Sequence, residues 1–171
     1  MKRSARQLGT KELGVIAFFL TAALPALAAD GKVTEVLVRP GQTLNEALKG
    51  VEGAALVRLP VGVTEHDAPI TREATVVIQG QGREVSILRP SADVALIDQG
   101  DLNAPFDGDL TLRDFTYDRA HRHVGEGRAV VASNAGGEVV FRNFRAHRFN
   151  FNGKTVPFFL GVGPAPHRAK E

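Results

Sequence analysis

The chain has 171 residues, a formal charge of +2 and no cysteine. This length predicts one domain of ordinary size. The missing cysteines exclude disulfide bonds and thiolate metal sites, so stability has to come from core burial and backbone pairing.

The first 29 residues have the pattern of a secretory signal peptide. Four basic residues precede an almost wholly apolar stretch over 13–24, and Pro25 and Ala26-Leu27-Ala28 follow it. About a dozen apolar residues are too few to cross a bilayer, which needs about 20. We therefore predict cleavage after Ala28 or Ala29, export to the periplasm or the extracellular space, and no membrane span after cleavage.

Removal of this leader changes the charge of the remaining chain. Four of the 21 basic residues and one of the 19 acidic residues lie in the leader, which leaves 17 and 18 and a formal charge of −1. This balance predicts no nucleic-acid partner. The predicted organisation is a signal peptide at 1–29, one folded domain at 30–163 and a disordered tail at 164–171.

The first elements after the leader are a strand and a short helix. Residues 33–38 alternate between polar and apolar, as a strand does, and Arg39-Pro40-Gly41 ends them with a turn. Thr43 is a suitable N-cap for a helix over 44–49, whose apolar residues share one face. No later segment has the pattern of a helix.

From position 54 onward the sequence consists of short apolar, β-branched runs between turn residues. Several runs, such as Thr75-Val76-Val77-Ile78, are continuously apolar, which is typical of parallel strands covered on both faces. The intervals are too short for crossover helices, so the pattern favours a coiled solenoid over a doubly wound α/β sheet. The predicted strands lie at 56–59, 75–79, 85–88, 94–97, 110–115, 129–132 and 139–144.

Two parts of the chain repeat each other. Residues 109–115 (DLTLRDF) match residues 138–144 (EVVFRNF) closely in charge, apolarity and size. A second match, with a three-residue offset, joins Arg119-Ala120-His121-Arg122 to Arg145-Ala146-His147-Arg148. The spacing lies in the range of about 20–50 residues in which repeats indicate stacked units.

The N-terminal part of the domain resembles a known fold family. The strand and helix are followed by VRLPVGVTE at 57–65, PI at 69–70 and VVIQGQG at 76–82. This order is similar to the N-terminal part of the pectin-lyase-like right-handed parallel β-helix superfamily, most clearly over 33–90. Val63 stands where that family commonly has an aromatic residue. The resemblance implies an all-β fold, namely a short single-stranded right-handed parallel β-helix with one N-terminal capping helix.

The resemblance indicates a fold but no activity. The Arg-x-Pro-x-x-Arg segment of pectate lyases does not occur in the sequence, and neither do the Asn-x-Asp, Asp-Asp and Gly-His-Gly segments of polygalacturonase-like members. Gly80-Gln81-Gly82 lacks the lysine and the helix of a phosphate-binding loop, so we interpret it as a tight corner. Asn143 and the matching Asp114 are predicted to stack at another corner, as Asn and Asp often do in folds of this kind.

The densest polar cluster occurs in the second pair of matching segments. Arginine suits the bidentate recognition of carboxylate or sulfate, and histidine exchanges protons near neutral pH. If the repeat stacks, these side chains lie near each other on adjacent strands. A charged, solvated loop between strands is the alternative. The predicted ligand-binding residues are Asp118, Arg119, His121, Arg122, His123, Arg145, His147 and Arg148.

Other candidate sites have ordinary structural explanations. His121, His123 and His147 suggest a metal site, but the neighbouring arginines disfavour a bound cation. The acidic interval from Asp98 to Asp109 is rich in Gly, Asn and Pro, as exposed loops are. We therefore predict no metal and no cofactor.

Together these features predict an exported β-helix protein that binds an extracellular or envelope polysaccharide, acidic in character, without turning it over. Two alternatives stay open at this point. One is a polysaccharide lyase or glycoside hydrolase with an atypical site. The other is a structural solenoid module, or a piece of a longer solenoid, that self-associates through Phe158, Phe159 and Leu160.

Overall fold

A computed structural model describes residues 32–100, 105–122, 129–149 and 158–161 of the chain. Within these residues the fold consists of short β-strands and one short helix. The predicted signal peptide and the predicted tail lie outside the described residues.

The strands are three to five residues long, and all their described pairings are parallel. In chain order the elements are β1 (Thr34–Leu37), α1 (Leu44–Leu48), β2 (Ala55–Arg58), β3 (Gly62–His66), β4 (Val76–Gln79), β5 (Ser86–Pro90), β6 (Ile97–Gln99), β7 (Leu110–Arg113), β8 (Thr116–Asp118), β9 (Val131–Ser133), β10 (Val139–Arg142), β11 (Arg145–His147) and β12 (Phe159–Gly161).

Within the described ranges the strands form three parallel sheets. Sheet A has the order β1-β2-β4-β7-β10, sheet B the order β11-β8-β5-β3, and sheet C the order β12-β9-β6. From β4 onward the chain visits sheets A, B and C in turn, three times over. These findings confirm the predictions of an all-β fold and of parallel pairing.

The three sheets share one hydrophobic core. In sheet A the side chains at every second register position point inward, because successive residues of a strand face opposite sides. One such column joins β1, β2, β4, β7 and β10. Sheet B adds Leu88 and Tyr117 to the same core, and sheet C adds Ile97 and Val131. The column consists of Val36, Val57, Ile78, Leu112 and Phe141.

The helix α1 packs beside β1 and β3 at one end of the sheets. Its predicted N-cap is confirmed: the Thr43 hydroxyl oxygen accepts a hydrogen bond from the Glu46 amide at 3.1 Å, and the Glu46 carboxylate accepts one from the Thr43 amide at 2.9 Å. This reciprocal capping box satisfies two amides that the helix leaves unpaired. Leu44 is fully buried beneath it. In the described ranges no helix reaches the length and apolarity required to cross a bilayer.

Sharp corners connect sheet A to sheet B. Asp114 and Asn143 have positive φ angles of 60° and 45°, and the Asn143 side-chain amide donates to the Asp114 carboxylate at 3.0 Å. Their predicted stacking at a corner is thereby confirmed. In the preceding strand pair Gly80 takes the corresponding position, and a side chain there would overlap the backbone oxygen of Asp114. Gly80 is thus required by close backbone approach.

Several strands differ from the sequence predictions. Strands β3, β8, β11 and β12 were not predicted, and the run at 94–97 enters a strand only at Ile97. Each of the predicted runs at 110–115 and 139–144 is interrupted by a corner residue with a positive φ angle, and a second short strand follows the corner. Because β11 pairs Arg145 with Thr116, the offset match of Arg145 to Arg119 is wrong as a structural alignment.

The segment predicted to self-associate contacts its own chain. Strand β12 pairs with β9 in sheet C. The ring of Phe158 lies 5.8 Å from the rings of Phe141 and Phe144 and 6.1 Å from the ring of Phe149, measured between centroids. Ring pairs at these distances attract each other, and all four rings are partly buried and pack against the core. Self-association through Phe158, Phe159 and Leu160 stays a prediction.

Candidate ligand-binding site

A row of charged residues crosses the outer face of sheet B. Glu65 on β3 is in register with Arg89 on β5, and Asp118 on β8 is in register with His147 on β11. Arg89 and Asp118 join the two halves through a hydrogen bond of 3.0 Å. From β3 to β8 the row therefore alternates in charge from strand to strand, an arrangement that stabilises neighbouring strands.

Asp118 is the buried centre of this row. It is only 3% exposed. Arg148 donates to both of its carboxylate oxygens, at 2.6 Å from Nε to Oδ1 and by a second bond from Nη2 to Oδ2. The Ala120 amide adds a bond of 3.0 Å. The hydrogen bonds from Arg148 lower the pKa of Asp118 far below its ordinary value, against the opposing effect of burial. Asp118 is thus ionised at neutral pH and holds the arginines around it.

A second ion pair fixes Arg145 next to this centre. Its two terminal nitrogens donate to the two carboxylate oxygens of Glu84, at 3.2 and 2.7 Å. Arg83 donates to the same carboxylate at 3.2 Å. Bidentate pairing limits the orientations that the Arg145 guanidinium adopts at the surface.

We call these residues the sheet B cluster: Arg83, Glu84, Arg89, Asp118, Arg145, His147 and Arg148. The cluster has four arginines against two carboxylates, and Glu65, which borders it on β3 in register with Arg89, is a third carboxylate on the same face. The side chains of the arginines and of His147 are 33–49% exposed. Nε2 of His147 lies 3.7 Å from Oδ1 of Asp118, so protonation of this histidine adds positive charge at the same place. The cluster therefore presents excess positive charge to solvent.

Arg119 lies elsewhere than predicted, in the interior of the protein. Its side chain is fully buried. It donates two hydrogen bonds to the backbone oxygen of Arg122, at 3.2 and 2.8 Å, one to the backbone oxygen of Val94 and one of 3.3 Å to the Tyr117 hydroxyl. No ligand at the surface reaches it, so Arg119 acts as a structural tie for the turn that follows β8.

Two further buried polar residues extend this interior network. Nε2 of His66 lies 3.1 Å from the Tyr117 hydroxyl, and Nδ1 lies 3.3 Å from the backbone oxygen of Ala68. Burial lowers the pKa of His66 to about 4 and raises the pKa of Tyr117 to about 12. A neutral His66 therefore donates from Nδ1 to Ala68 and accepts from Tyr117, which in turn accepts from Arg119.

His121 and Arg122 border the sheet B cluster. Both are exposed. Ala120 and His121 have positive φ angles of 50° and 61°, and the His121 amide donates to the backbone oxygen of Arg148 at 2.7 Å. This hydrogen bond places the backbone of His121 beside that of Arg148. The remaining predicted residue, His123, lies outside the described residues.

The sequence predictions missed Arg83, Glu84 and Arg89 of the sheet B cluster, and the buried pair of His66 and Tyr117. A signal for Arg89 was present, because it precedes Asp118 by 29 residues, the same spacing that separates Asp114 from Asn143. Extending the repeat by one unit toward the N-terminus would have placed Arg89 beside Asp118. Glu84 and His66 have no such signal in the sequence. In the part of the chain that the structure describes, no group of three or more His, Asp or Glu residues is placed to hold a metal ion.

The fold and the cluster define an all-β protein of parallel sheets with an arginine-rich surface on one of them. Comparison of the chain with protein-family models, with curated proteins and with solved structures gives no match. The resemblance to the pectin-lyase-like superfamily therefore stays a prediction.

Proposed function

We propose that this chain is an exported binding protein that holds an acidic polysaccharide against the outer face of sheet B without turning it over. The observation that carries the proposal is the sheet B cluster, in which four part-exposed arginines outnumber two carboxylates. The signal-peptide pattern of residues 1–29 supports export.

The proposal includes a right-handed parallel β-helix as the fold. The repeated passage of the chain through sheets A, B and C supports a coil with three sheets around one core. Parallel crossover connections are right-handed in about 98% of known cases. The resemblance of residues 33–90 to the pectin-lyase-like superfamily supports the same arrangement.

Several features of the cluster suit an acidic sugar polymer. Guanidinium groups bind carboxylate or sulfate through paired hydrogen bonds, and each has five donors. Asp118 and Glu84 occupy only some of the donors of Arg89, Arg145 and Arg148. Because these contacts already restrict the arginines, less conformational entropy is lost when a ligand binds. The cluster extends over strands β5, β8 and β11, a surface suited to a chain molecule.

Replacing Arg145 or Arg148 with glutamine is expected to weaken binding of an oligogalacturonate about tenfold in each case. This loss corresponds to one charge-assisted hydrogen bond of about 1.5 kcal/mol. Isothermal titration calorimetry at fixed ionic strength measures the affinities, and circular dichroism checks that each variant is folded. Arg39→Gln is the matched control, because it removes the same charge from the exposed turn before α1 and should leave the affinity unchanged. Undiminished binding in both cluster variants would reject the site.

One observation favours an enzyme as the second candidate function. The part-exposed His147 lies beside Arg148 and Asp118, and a base next to a cation is what proton abstraction from a uronate requires. Release of unsaturated or reducing sugars from uronate polymers, abolished by His147→Gln, would establish a lyase or a hydrolase. Binding without release of such sugars supports the binding function.

A further inference from the structure

A second row of cations lies on the outer face of sheet A. The register of β2, β4, β7 and β10 aligns Arg58, Gln79, Arg113 and Arg142 at one position. We call these four residues the sheet A arginine row. It runs across the strands, at the last strand position before the chain leaves sheet A. It shares no residue with the sheet B cluster.

The contacts within the row leave positive charge uncompensated. Arg58 and Arg113 both donate to the side-chain oxygen of Gln79, at 3.0 and 2.8 Å, so two cations share one neutral acceptor. Glu35 pairs with Arg58. Across the described ranges, no carboxylate forms an ion pair with Arg113 or Arg142.

Arg113 carries a donor that is buried without an acceptor. The residue is 9% exposed, and its Nε has no hydrogen-bond partner. A buried donor left without a partner costs about 1–3 kcal/mol. Arg113 donates to Gln79 through Nη2, so Nε is the donor that an incoming oxyanion would satisfy.

We infer that the sheet A arginine row is a second binding site for an acidic polysaccharide, which lies across the strands with an oxyanion against Arg113 and the next against Arg142. Neighbouring strands are about 4.8 Å apart, so Arg113 and Arg142 are close enough for one polymer to contact both. The ligand class rests on the proposed function. The site does not, because it lies on a different sheet. Carboxylate and sulfate groups share the required chemistry.

The test is a titration of the full chain followed by the NMR signals of the arginine Nε–H groups. Hexagalacturonate supplies carboxylates, and a dextran sulfate fragment of matched length supplies sulfates. We expect the Arg113 and Arg142 signals to shift with at least one of the two polymers. Arg142→Gln should weaken the effect at Arg113 about tenfold, the loss of one charge-assisted hydrogen bond. Arg142 is exposed, so the Arg142→Gln variant is expected to fold. The signal of Arg113 is assigned as the one that disappears in Arg113→Lys.

The variants separate this inference from the proposed function. Arg145→Gln should reduce the response of the sheet B cluster and leave the Arg113 and Arg142 shifts intact. Shifts at Arg113 and Arg142 alone would support the second site and count against the first. No shift at Arg113 and Arg142 with either polymer would overturn the second site, whether or not the sheet B cluster binds.

Discussion

Replacing Arg119 with methionine is expected to lower the free energy of unfolding by about 3 kcal/mol. The substitution removes the donors that satisfy the backbone oxygens of Val94 and Arg122 and the Tyr117 hydroxyl. Each acceptor left unsatisfied in a buried place costs about 1–3 kcal/mol. Removal of a buried cation offsets part of this loss, since a guanidinium is costly to take out of water. Urea denaturation measures the change as a shift of the midpoint at constant slope.

Arg122→Met is the matched control for this experiment. It exchanges the same residue types, but the Arg122 side chain is exposed and its backbone oxygen still accepts from Arg119. We expect its stability to stay within about 0.5 kcal/mol of the wild type. Equal stability of the Arg119 and Arg122 variants would show that the interior network does not hold the turn after β8.

Lowering the pH from 7 to 4 is expected to destabilise the protein by about 3 kcal/mol through His66 alone. Burial lowers the pKa of this histidine from 6.5 to about 4 in the folded chain. Between these values the unfolded chain binds a proton that the folded chain excludes, so stability falls as the pH falls. Asp118 adds a further loss below its ordinary pKa of 3.8, because its pKa is lowered in the folded state, chiefly by hydrogen bonds from Arg148. Urea denaturation at a series of pH values measures both effects.

His66→Gln should remove the loss of stability between pH 7 and 4 and keep the loss that Asp118 causes at lower pH. His147→Gln is the control, because it removes an exposed histidine of the sheet B cluster and should preserve the dependence between pH 7 and 4. If the His66 variant loses stability over that range as steeply as the wild type, the buried neutral histidine is not the cause.

The sequence was a good guide to the strands of sheet A. The continuous apolar runs that contain β2 and β4 predicted parallel strands covered on both faces, and the structure confirms the pairing. The Thr43 N-cap was predictable because helix N-caps depend on a few adjacent residues. Such local signals need no knowledge of the distant chain.

The corners were the main obstacle to predicting sheet B. Only two residues separate the end of β7 from the start of β8, and two separate β10 from β11. Asp114 and Asn143 turn the chain through positive φ angles, which single residues of these types adopt at small cost. Because one residue at a corner changes which side chains face inward, alternation in the sequence does not carry over from one strand to the next.

The candidate site was predictable only in part for the same reason. Asp118 and Arg148 were recognised as one cluster because the repeat placed them on adjacent strands. Arg119 was assigned to that surface because it belongs to the densest polar segment of the sequence and was matched to Arg145 in the repeat. Its position directly after Asp118 turns it inward, where backbone oxygens and a tyrosine hydroxyl replace water. The sequence pattern does not predict which backbone oxygens will accept from a buried arginine.

Both proposed binding surfaces depend on the parallel register of neighbouring strands, and one cross-link tests that register most directly. The chain has no cysteine, and Thr111 on β7 is paired with Val140 on β10. Neighbouring strands about 4.8 Å apart lie within the range of Cα separations that a disulfide spans. We expect Thr111→Cys/Val140→Cys to form an intramolecular disulfide on mild oxidation with its circular dichroism unchanged. Glu35→Cys/Val140→Cys, on opposite edge strands of sheet A, should stay reduced. A 111/140 pair that stays reduced, or a 35/140 pair that closes within one chain, would contradict the stacking of these strands and the binding surfaces built on it.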